Sequence, residues 1–339
     1  MSQKKLSVCT PAYNAENQLA ELYAGLQQQT LHDLEHTIEW IIVDDGSTDD
    51  TLARAHELSA QQSSTAPDSH PRNEKAGPFP VHVLTQKHSG RPRAINKALK
   101  EAAGKFFIVL DTDAVPAPRA FELLFTYWDS IPPQERPYFA SITGLTGVPD
   151  GSIKGSRFPA DVFDSNSIET GTHYGITGRK WGMYLTEALR ENPYPVFSGE
   201  KFVPDELVFN RIGRNQLTRY INEVLLIEPS KKEASEGANE RANEGSITKK
   251  GRNKVKHLQN WVSSPRGAAI FYNELSEQRI PLAHRIRATA HYVRFSMHAG
   301  VVPDDIYKKA NKKLIAFFML WPGLFLYKHD KKILAAENN

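Results

Sequence analysis

The chain has 339 residues, which is enough for two domains or for one large α/β domain with additions. Apolar residues make up 40% and charged residues 24%, a composition that excludes disorder throughout the chain. Because Cys9 is the only cysteine, a disulfide framework and a multi-cysteine zinc site are also excluded. Cys9 lies in an apolar run, so we expect a buried packing residue in a reducing compartment.

The first 130 residues alternate between short apolar runs and segments with apolar residues at helical spacing. Asn14 is predicted to cap the first helix, and Thr48 or Asp49 the second. This alternation indicates an α/β fold with a parallel sheet that helices cover on both faces. Strands are predicted at 6–10, 38–43, 81–85 and 105–110, and helices at 15–29, 48–60, 93–103 and 118–130.

Polar residues follow three of these strands at the point where each strand ends. Ligands of parallel α/β sheets bind outside the carboxyl ends of the strands, so the sequence predicts a binding site on this edge. The residues are Tyr13 and Asn14 after the first strand, Asp44 and Asp45 after the second, and Asp111 and Asp113 after the fourth.

The run Asp111-Thr112-Asp113 has both a functional and a purely local interpretation. Its two carboxylates suit a hard divalent ion, Mn²⁺ or Mg²⁺, with diphosphate oxygens and water completing the coordination shell. Two aspartates one residue apart are also common turn formers. The run at 44–49 is open in the same way. It is either a strand-to-helix turn or a place where Asp45 hydrogen-bonds a base or a ribose hydroxyl.

The second half of the chain has a less regular pattern. Strands are predicted at 139–144 and 224–227, and a helix is predicted at 282–297. Two stretches are rich in polar residues. We expect 61–80 to be a surface insertion and 230–256 to be a disordered loop or a mobile lid.

The C-terminal third is basic and contains one apolar segment. Between 245 and 332, 17 lysines and arginines stand against 5 acidic residues, a balance of +12 that leaves −9 for the rest. The 14 apolar residues at 314–327 fall short of the roughly 17–25 needed to cross a bilayer, and Pro322-Gly323 interrupts them. Lysines on both sides favour an interfacial anchor on an anionic membrane surface over an element folded back onto the core.

Five segments, in this order, resemble the motifs of the family-two glycosyltransferases, which have the GT-A fold. Four are the opening strand and turn at 6–16, Val-Asp-Asp-Gly-Ser-Thr-Asp at 43–49, the glycine-containing segment at 90–96 and the Asp-x-Asp strand at 107–113. The fifth, at 199–206, resembles the acidic motif that supplies the catalytic base in inverting members. The resemblance implies a Rossmann-like fold with a mainly parallel central sheet flanked by helices, followed by a helical C-terminal extension.

The resemblance also implies how a nucleotide-sugar donor, expected to be a UDP-sugar, is held. Ala114 stands where the family usually has a further acidic residue, so no third metal ligand is assigned, although His88, His173 and His257 are available. The implied contacts are Pro11, Ala12 and Tyr13 against the base, Asp45 as acceptor of a base hydrogen bond, Gly90 and Arg91 near the ribose or diphosphate, Asp111 and Thr112 near the ribose and sugar, and Asp113 with Asp111 as ligands of a Mn²⁺ or Mg²⁺ ion that bridges the diphosphate.

For the reaction, the resemblance implies a single displacement at the anomeric carbon, with inversion. Asp205 is the expected general base that takes the proton of the acceptor hydroxyl, and Glu206 is the competing candidate. The metal ion offsets the charge that develops on the departing nucleoside diphosphate. The expected role is sugar transfer to a glycan or lipid-linked glycan in cell-envelope or capsular glycan synthesis, in the cytoplasm at the inner face of the membrane.

The predicted organisation has three parts, and two other functions stay open. Residues 1–229 are the predicted catalytic domain, 230–256 a loop or lid, and 257–339 a basic, mostly helical region. A sugar nucleotidyltransferase is one alternative, although the turn at 10–14 lacks the glycine that such chemistry usually needs. A catalytically silent nucleotide-binding module is the other. Nucleic-acid binding is not expected, because the basic region carries no recognised motif.

Overall fold

The described residues of this computed structural model are 6–30, 38–63, 79–228 and 258–337, and they form two compact units. The first unit contains the described residues up to 193 together with 211–228. The second contains 194–210 and 258–337. Residues 194–210 therefore pack with the C-terminal helices, whereas the predicted division, which stays a prediction, places them in the domain 1–229.

The first unit combines a central sheet with flanking helices. Its strands are β1 Leu6–Ala12, β2 Ile38–Asp44, β3 Val81–Thr85, β4 Phe106–Val109, β5 Val115–Pro116, β6 Phe139–Gly147, β7 Val162–Ser165, β8 Lys180–Leu185 and β9 Leu217–Ile227. Its helices are α1 Glu16–Gln27, α2 Thr51–Ser63, α3 Arg91–Glu101, α4 Ala120–Asp129, α5 Ser167–Thr172 and α6 Thr186–Glu191.

Within the described part of the chain, nine strands form one sheet in the order β3-β2-β1-β4-β8-β6-β9-β5, with β7 paired to β9. The first four strands of this order are parallel. From β8 onward the sheet is mixed, because β8 runs antiparallel to both β4 and β6, whereas β9 is parallel to β6. The α/β fold with a helix-flanked central sheet is confirmed, and the parallel arrangement holds for the half that carries the predicted site.

Burial of apolar side chains explains why these segments form this sheet. Every residue of β1 and β2 is buried except Pro11, as expected for strands covered by helices on both faces. α1 turns Leu19, Leu22 and Leu26 into the same core at helical spacing. Cys9 is fully buried in β1, and this burial raises the pKa of its thiol, so its predicted packing role is confirmed.

The beginning of α1 differs from the prediction, because Asn14 does not cap it. Asn14 has a left-handed backbone with φ of 50°, and the helix begins two residues later. Its side-chain oxygen instead accepts a hydrogen bond from the Thr48 N–H at 2.9 Å, and its own N–H donates to Ser47 Oγ at 3.0 Å. The cap prediction was wrong because a partner 34 residues away takes the side chain of Asn14.

The second unit is helical in its described part. Val293 and Phe295 of the helix at 282–298 form a core with Ile306 and Ala316 from the two helices that follow. The helices are α7 Asp205–Ile212, whose last two residues belong to the first unit, α8 Pro265–Glu277, α9 Leu282–His298, α10 Pro303–Lys309 and α11 Lys313–Glu337.

The apolar segment 314–327 is part of α11, which continues through Pro322. Gly323 lies against α9, and a Cβ atom in its place would be 2.5 Å from the side chain of Val293. Glycine at this position therefore lets α9 and α11 pack closely. In the part of the chain that the structure describes, no helix has the length and apolar content required to cross a bilayer.

Two sequence predictions fall on residues outside those that the structure describes. The lid predicted at 230–256 lies wholly outside them. Most of the insertion predicted at 61–80 also lies outside them, and its described residues are the last turn of α2 and the approach to β3.

Candidate functional site

The candidate site lies in the first unit, where β1, β2 and β4 end on one edge of the sheet. The loop after β2 is shaped by Asp44, whose buried carboxylate accepts hydrogen bonds from the N–H groups of Gly46 and Ser47, each at 3.2 Å. Asp44 is thus a turn former. The loop after β1 is joined to this turn, since the Ala15 N–H donates to Thr51 Oγ1 at 2.7 Å.

Asp45 is the acceptor that organises the neighbouring segment at 86–90. Its carboxylate accepts hydrogen bonds from the N–H groups of Ser89 at 2.8 Å and Gly90 at 2.9 Å. The side chains of Gln86 and His88 contact it as well, at 2.6 and 2.9 Å. A carboxylate has about four acceptor positions, so Asp45 is fully used in this structure.

Gly46 makes this arrangement possible. It has a φ of 73°, in the left-handed region that glycine adopts without strain. A Cβ atom on Gly46 would lie 2.7 Å from the backbone nitrogen of His88. The loop after β2 therefore needs glycine for both its backbone conformation and the close approach of the segment at 86–90.

Tyr13 places an aromatic surface beside Asp45. Its ring stacks on that of His88, with 3.9 Å between the ring centroids and 15° between the planes. Tyr13 is 44% exposed, so part of its surface is open to another planar group. The side chain of Ala12 is fully buried, and its carbonyl accepts the Asp45 N–H at 2.8 Å, so its contact with a base stays a prediction. Pro11 is half-buried at the end of β1.

Asp111 lies between two arginines at the end of β4. Arg91 Nε donates to its Oδ1 at 2.8 Å, and Arg179 Nη2 donates to its Oδ2 at 2.6 Å. Burial alone would raise the pKa of Asp111, but the two guanidinium groups outweigh it and hold the pKa below its usual value. Asp111 is therefore a carboxylate already neutralised by its neighbours.

Beyond Arg179, positively and negatively charged side chains alternate. Its other terminal nitrogen donates to Glu228 Oε1 at 2.8 Å, and Lys154 binds the second oxygen of Glu228. Burial opposes the charged form of Arg179, but Asp111, Glu228 and Asp113 raise its pKa. Three cations and two carboxylates thus form one continuous series along this edge.

Asp113 has a different environment from Asp111. Its side chain is exposed, and it makes no hydrogen bond or ion pair to another described residue. Thr112 between them is half-buried. Of the histidines considered as ligands, His88 contacts Asp45, His173 is exposed, and His257 lies outside the described residues. Among the described residues, no group of three His, Cys, Asp or Glu side chains could hold a metal ion.

The residues predicted to act as base are in the second unit. Asp205 is the first residue of α7, and its Oδ1 accepts a hydrogen bond from the Tyr194 hydroxyl at 2.8 Å. Glu206 beside it is exposed. The position of this motif is fixed by Glu200, whose buried carboxylate accepts the N–H groups of Arg266 and Gly267 at 2.9 and 3.0 Å. Glu200 thereby caps the positive end of α8.

The structure joins most of the predicted donor residues and adds several that sequence reasoning missed. Tyr13, Asp45, Gly90, Arg91 and Asp111 are linked through their contacts within the first unit, whereas Asp205 and Glu206 belong to the second. Glu200 could have been found, since it lies inside the motif at 199–206. Arg179 and Glu228 carry no local signal, because they meet Asp111 and each other across 68 and 49 residues of chain. His88 was considered only as a metal ligand, not as a partner of Asp45. The missed residues are Gln86, Lys154, Arg179, Tyr194, Glu200 and Glu228.

Comparison with known proteins identifies the N-terminal part of the first unit. Residues 7–136 match the family model described as glycosyl transferase family 2. A dolichol-phosphate mannosyltransferase of Pyrococcus furiosus is 31% identical over 121 residues, which are 35% of this chain and 29% of that protein. A chondroitin synthase of Escherichia coli is 34% identical over 118 residues, 35% of this chain and 14% of that protein. The matched segment thus spans less than a third of either relative.

Solved structures extend the comparison to nearly the whole chain at the level of fold. A crystal structure of S. aureus TarS 1–349 aligns with a TM-score of 0.51 and 17% identity over 98% of this chain and 92% of that one. The same protein in complex with UDP-GlcNAc aligns with a TM-score of 0.53 at 16% identity and the same coverage.

The solved structures support a GT-A fold for the chain, and the family match supports glycosyl transfer as the activity of the domain at 7–136. Residues 7–136, which are less than half of the chain, are similar to glycosyltransferase family 2. The resemblance of the four N-terminal motifs is therefore confirmed. The fifth motif, at 199–206, lies beyond the matched residues.

Proposed function

We propose that the protein is an inverting glycosyltransferase that moves a sugar from a nucleotide-sugar donor, expected to be a UDP-sugar, to an acceptor hydroxyl. The observation that supports this most directly is the continuous set of contacts at the sheet edge. An open aromatic ring, an anchored carboxylate and a series of cations follow one another there. These are the groups that a base, a ribose and a diphosphate require.

The base is proposed to bind at Tyr13 and Asp45. The exposed part of the Tyr13 ring offers a stacking surface for a planar base. Asp45 already has four donors, so a base N–H reaches it only where the side chain of Gln86 or His88 turns away. The backbone N–H groups that hold the segment at 86–90 can stay in place. Donor binding is therefore expected to release one side chain from Asp45.

The diphosphate is proposed to bind near Arg91 and Arg179. Both guanidinium groups are held at the strand end by Asp111, so their positive charge is positioned before any donor arrives. Arginine suits phosphate oxygens because its planar fork donates in two directions. The two arginines would stabilise the negative charge that the leaving nucleoside diphosphate gains as its bond to the sugar breaks.

The donor set fits a divalent ion that binds together with the donor. Mg²⁺ is usually held by one or two carboxylates, with substrate phosphates and water filling the other positions. Asp113 offers an exposed carboxylate for Mn²⁺ or Mg²⁺, whereas Asp111 could ligate only if Arg91 or Arg179 released an oxygen. When bound, the ion supplies Lewis-acid stabilisation of the departing diphosphate.

Asp205 is the proposed general base, and Glu206 is the second candidate. The Tyr194 hydroxyl orients the Asp205 carboxylate by donating to Oδ1. The carboxylate takes the proton of the acceptor hydroxyl while the acceptor oxygen forms a bond to the anomeric carbon. The bond from that carbon to the diphosphate breaks, and its electron pair leaves with the nucleoside diphosphate. One displacement of this kind inverts the anomeric configuration.

The proposed acceptor is a glycan or lipid-linked glycan in cell-envelope or capsular glycan synthesis, reached from the cytoplasm at the inner face of the membrane. Names of relatives support this class. The mannosyltransferase above is named for dolichol phosphate, and a relative 32% identical over 110 residues is named for undecaprenyl phosphate. That second protein comes from Pseudomonas savastanoi, and the match covers 28% of it.

A donor screen tests the proposal. Thermal unfolding is measured with UDP, GDP, their sugar conjugates and ATP, each with and without Mn²⁺. A ligand at 100 times its dissociation constant stabilises the native state by about 2.7 kcal/mol, so a true donor raises the melting temperature clearly. Transfer from the best donor to lipid-linked and free glycan acceptors is then followed by product analysis, including the anomeric configuration.

A matched pair of tyrosine variants makes the screen specific. Tyr13→Ala should weaken binding of the nucleotide about threefold to tenfold, because the stacking surface is lost. Tyr138→Ala removes another exposed tyrosine of the same unit and should change nothing. The proposal fails if no nucleotide stabilises the protein, or if the two variants behave alike. Nucleotide binding without transfer would support a silent module, and pyrophosphate release from a nucleoside triphosphate and a sugar phosphate would support a nucleotidyltransferase.

A further inference from the structure

α11 has an apolar stripe on its outward face. The spacing of three or four residues places the five side chains of the stripe on one side of the helix. They are among the most exposed large apolar residues of the described chain. The stripe consists of Leu314, Phe317, Phe318, Trp321 and Phe325, which are 74, 59, 63, 79 and 71% exposed.

The other face of α11 explains why this stripe is not a sign of a loosely attached helix. Ala316 is fully buried, Leu320 packs against the core of the second unit, and Gly323 lies against Val293 of α9. The helix is also held by Asp330, which is buried with the guanidinium group of Arg294. α11 therefore has a fixed orientation within the second unit, and the stripe points outward because the opposite face of the helix is packed.

Positive charge surrounds the stripe. Lys328 and Lys332 follow Phe325 at three and seven residues, which places them on the continuation of the same face, and both are exposed. Lys313 is exposed at the beginning of the helix, and α10 ends with Lys309 and with Lys308, which forms an ion pair with Asp304. An apolar stripe with cations at both ends is complementary to a lipid surface, which has an apolar interior and anionic headgroups at its boundary.

We infer that this stripe docks the protein on an anionic membrane surface, with α11 lying in the plane of the interface. Trp321 in the middle of the stripe is the side chain type enriched at membrane interfaces. Lysine stems can lie along apolar surface while their ammonium groups reach the lipid phosphates. A second copy of the chain fits less well, because it would bring its own lysines to the same contact.

This inference deepens the lipid-linked acceptor of the proposed function, but its test needs neither donor nor acceptor. The purified full chain is sedimented with vesicles of phosphatidylcholine alone or of phosphatidylcholine mixed with phosphatidylglycerol. We expect binding to the mixed vesicles that weakens as salt is added, since surface charges are screened. Transfer activity is measured separately, so failure of docking and failure of sugar transfer are distinguishable.

Two pairs of variants resolve the contributions. Phe318→Ser with Trp321→Ser should lower the partition coefficient at least about tenfold, because two large apolar side chains no longer insert. Lys328→Glu with Lys332→Glu should lower it more than tenfold on anionic vesicles only, since each lysine near such a surface contributes about fivefold. Tyr138→Ser and Lys100→Glu, exposed residues of the first unit, serve as controls and should bind like the wild type.

Circular dichroism and thermal unfolding check that these exposed positions leave the fold intact. The inference is overturned if the protein binds neither kind of vesicle, or if the variant with Phe318→Ser and Trp321→Ser binds as well as the wild type. It is also overturned if light scattering shows a dimer of the wild type that the serine pair abolishes while vesicle binding persists. That result would assign the stripe to contact between copies.

Discussion

The two units of the chain distribute charge and apolar surface in opposite ways. In the first unit, apolar side chains form the core between the sheet and its helices. Charged side chains are paired along the edge of the sheet, as Arg179 is with Asp111 and Glu228. In the second, Asp330 is buried with Arg294 and His298, while Trp321 is among the most exposed side chains. Half-buried paired charge at a sheet edge suits an ionic ligand, whereas an exposed apolar stripe suits an apolar surface. This contrast is the reason why we propose a different kind of partner for each unit.

The largest expected effect concerns the acidic motif of the second unit. Asp205→Asn should lower the rate of transfer about 10²–10⁴-fold, because the amide cannot take the acceptor proton. Glu206→Gln should stay within about threefold of the wild type if Asp205 is the base. Initial rates at saturating donor measure both. Full turnover by Asp205→Asn together with a collapse in Glu206→Gln would transfer the role to Glu206.

The next largest effect tests the exposed carboxylate of the first unit. Asp113→Asn should lower transfer about 10²–10³-fold and weaken the dependence on Mn²⁺, because a metal ligand is lost. The control Asp161→Asn changes another exposed aspartate of the same unit. Rates are measured over a range of Mn²⁺ concentrations. An unchanged metal dependence in Asp113→Asn would remove this residue from the metal site.

A smaller effect, on stability, concerns the carboxylate that caps α8. Glu200→Gln should destabilise the second unit by about 1–3 kcal/mol, because the neutral amide accepts less strongly from the Arg266 and Gly267 N–H groups. Chemical denaturation measures the free energy of unfolding. Glu191→Gln, an exposed glutamate of the first unit, should be neutral. Equal stability of the two variants would contradict the capping role.

The smallest effect is a pH dependence of the second unit. Burial, with help from Arg294 and Arg287, lowers the pKa of His291 from 6.5 to about 4, although Asp330 opposes the shift. Its ring stacks on Tyr272, and its Nδ1 lies 3.2 Å from Arg294 Nη1. The unfolded chain binds the proton more readily than the folded one. The stability that neutral His291 contributes is therefore present above pH 6.5. It is lost as the pH falls below 6.5, and the loss is complete below about pH 4.

Unfolding free energies between pH 7 and 4 measure this dependence. His291→Phe keeps an aromatic ring but cannot titrate. Its free energy of unfolding should therefore fall by about 1–3 kcal/mol less than that of the wild type over this range. His284→Asn removes an exposed histidine of the same helix and should follow the wild type. Parallel curves for wild type and His291→Phe would show that other groups control the acid response.

Local motifs were predictable because their information lies within a few residues. The strand at 81–85 has the predicted bounds, and Asp45, Gly90 and Asp111 lie at strand or helix ends as expected. Asn14 shows where such reasoning fails. Its type and position favour a helix cap, but the nearby turn of another loop binds its side chain instead.

The long-range contacts of the site were not predictable. Nothing around Arg179 distinguishes it from other arginines, since its partner Asp111 is 68 residues away. The resemblance implied a metal-ligand role for both aspartates of the Asp-x-Asp run, with a further ribose and sugar contact for Asp111, but it did not predict how their charges are compensated. Only the folded chain distinguishes them, because two guanidinium groups neutralise Asp111 whereas Asp113 is exposed.

The sequence by itself determined the likeness of the N-terminal motifs to glycosyltransferase family 2, the alternation of strands and helices, and the apolar and basic character of the C-terminal segment. These properties depend on the order and periodicity of side chains along the chain. Only the tertiary structure decided which carboxylates are already paired, that 194–210 pack with the C-terminal helices, and which face of α11 is turned outward. Such outcomes depend on partners distant in sequence, and the packing of the whole core selects among them.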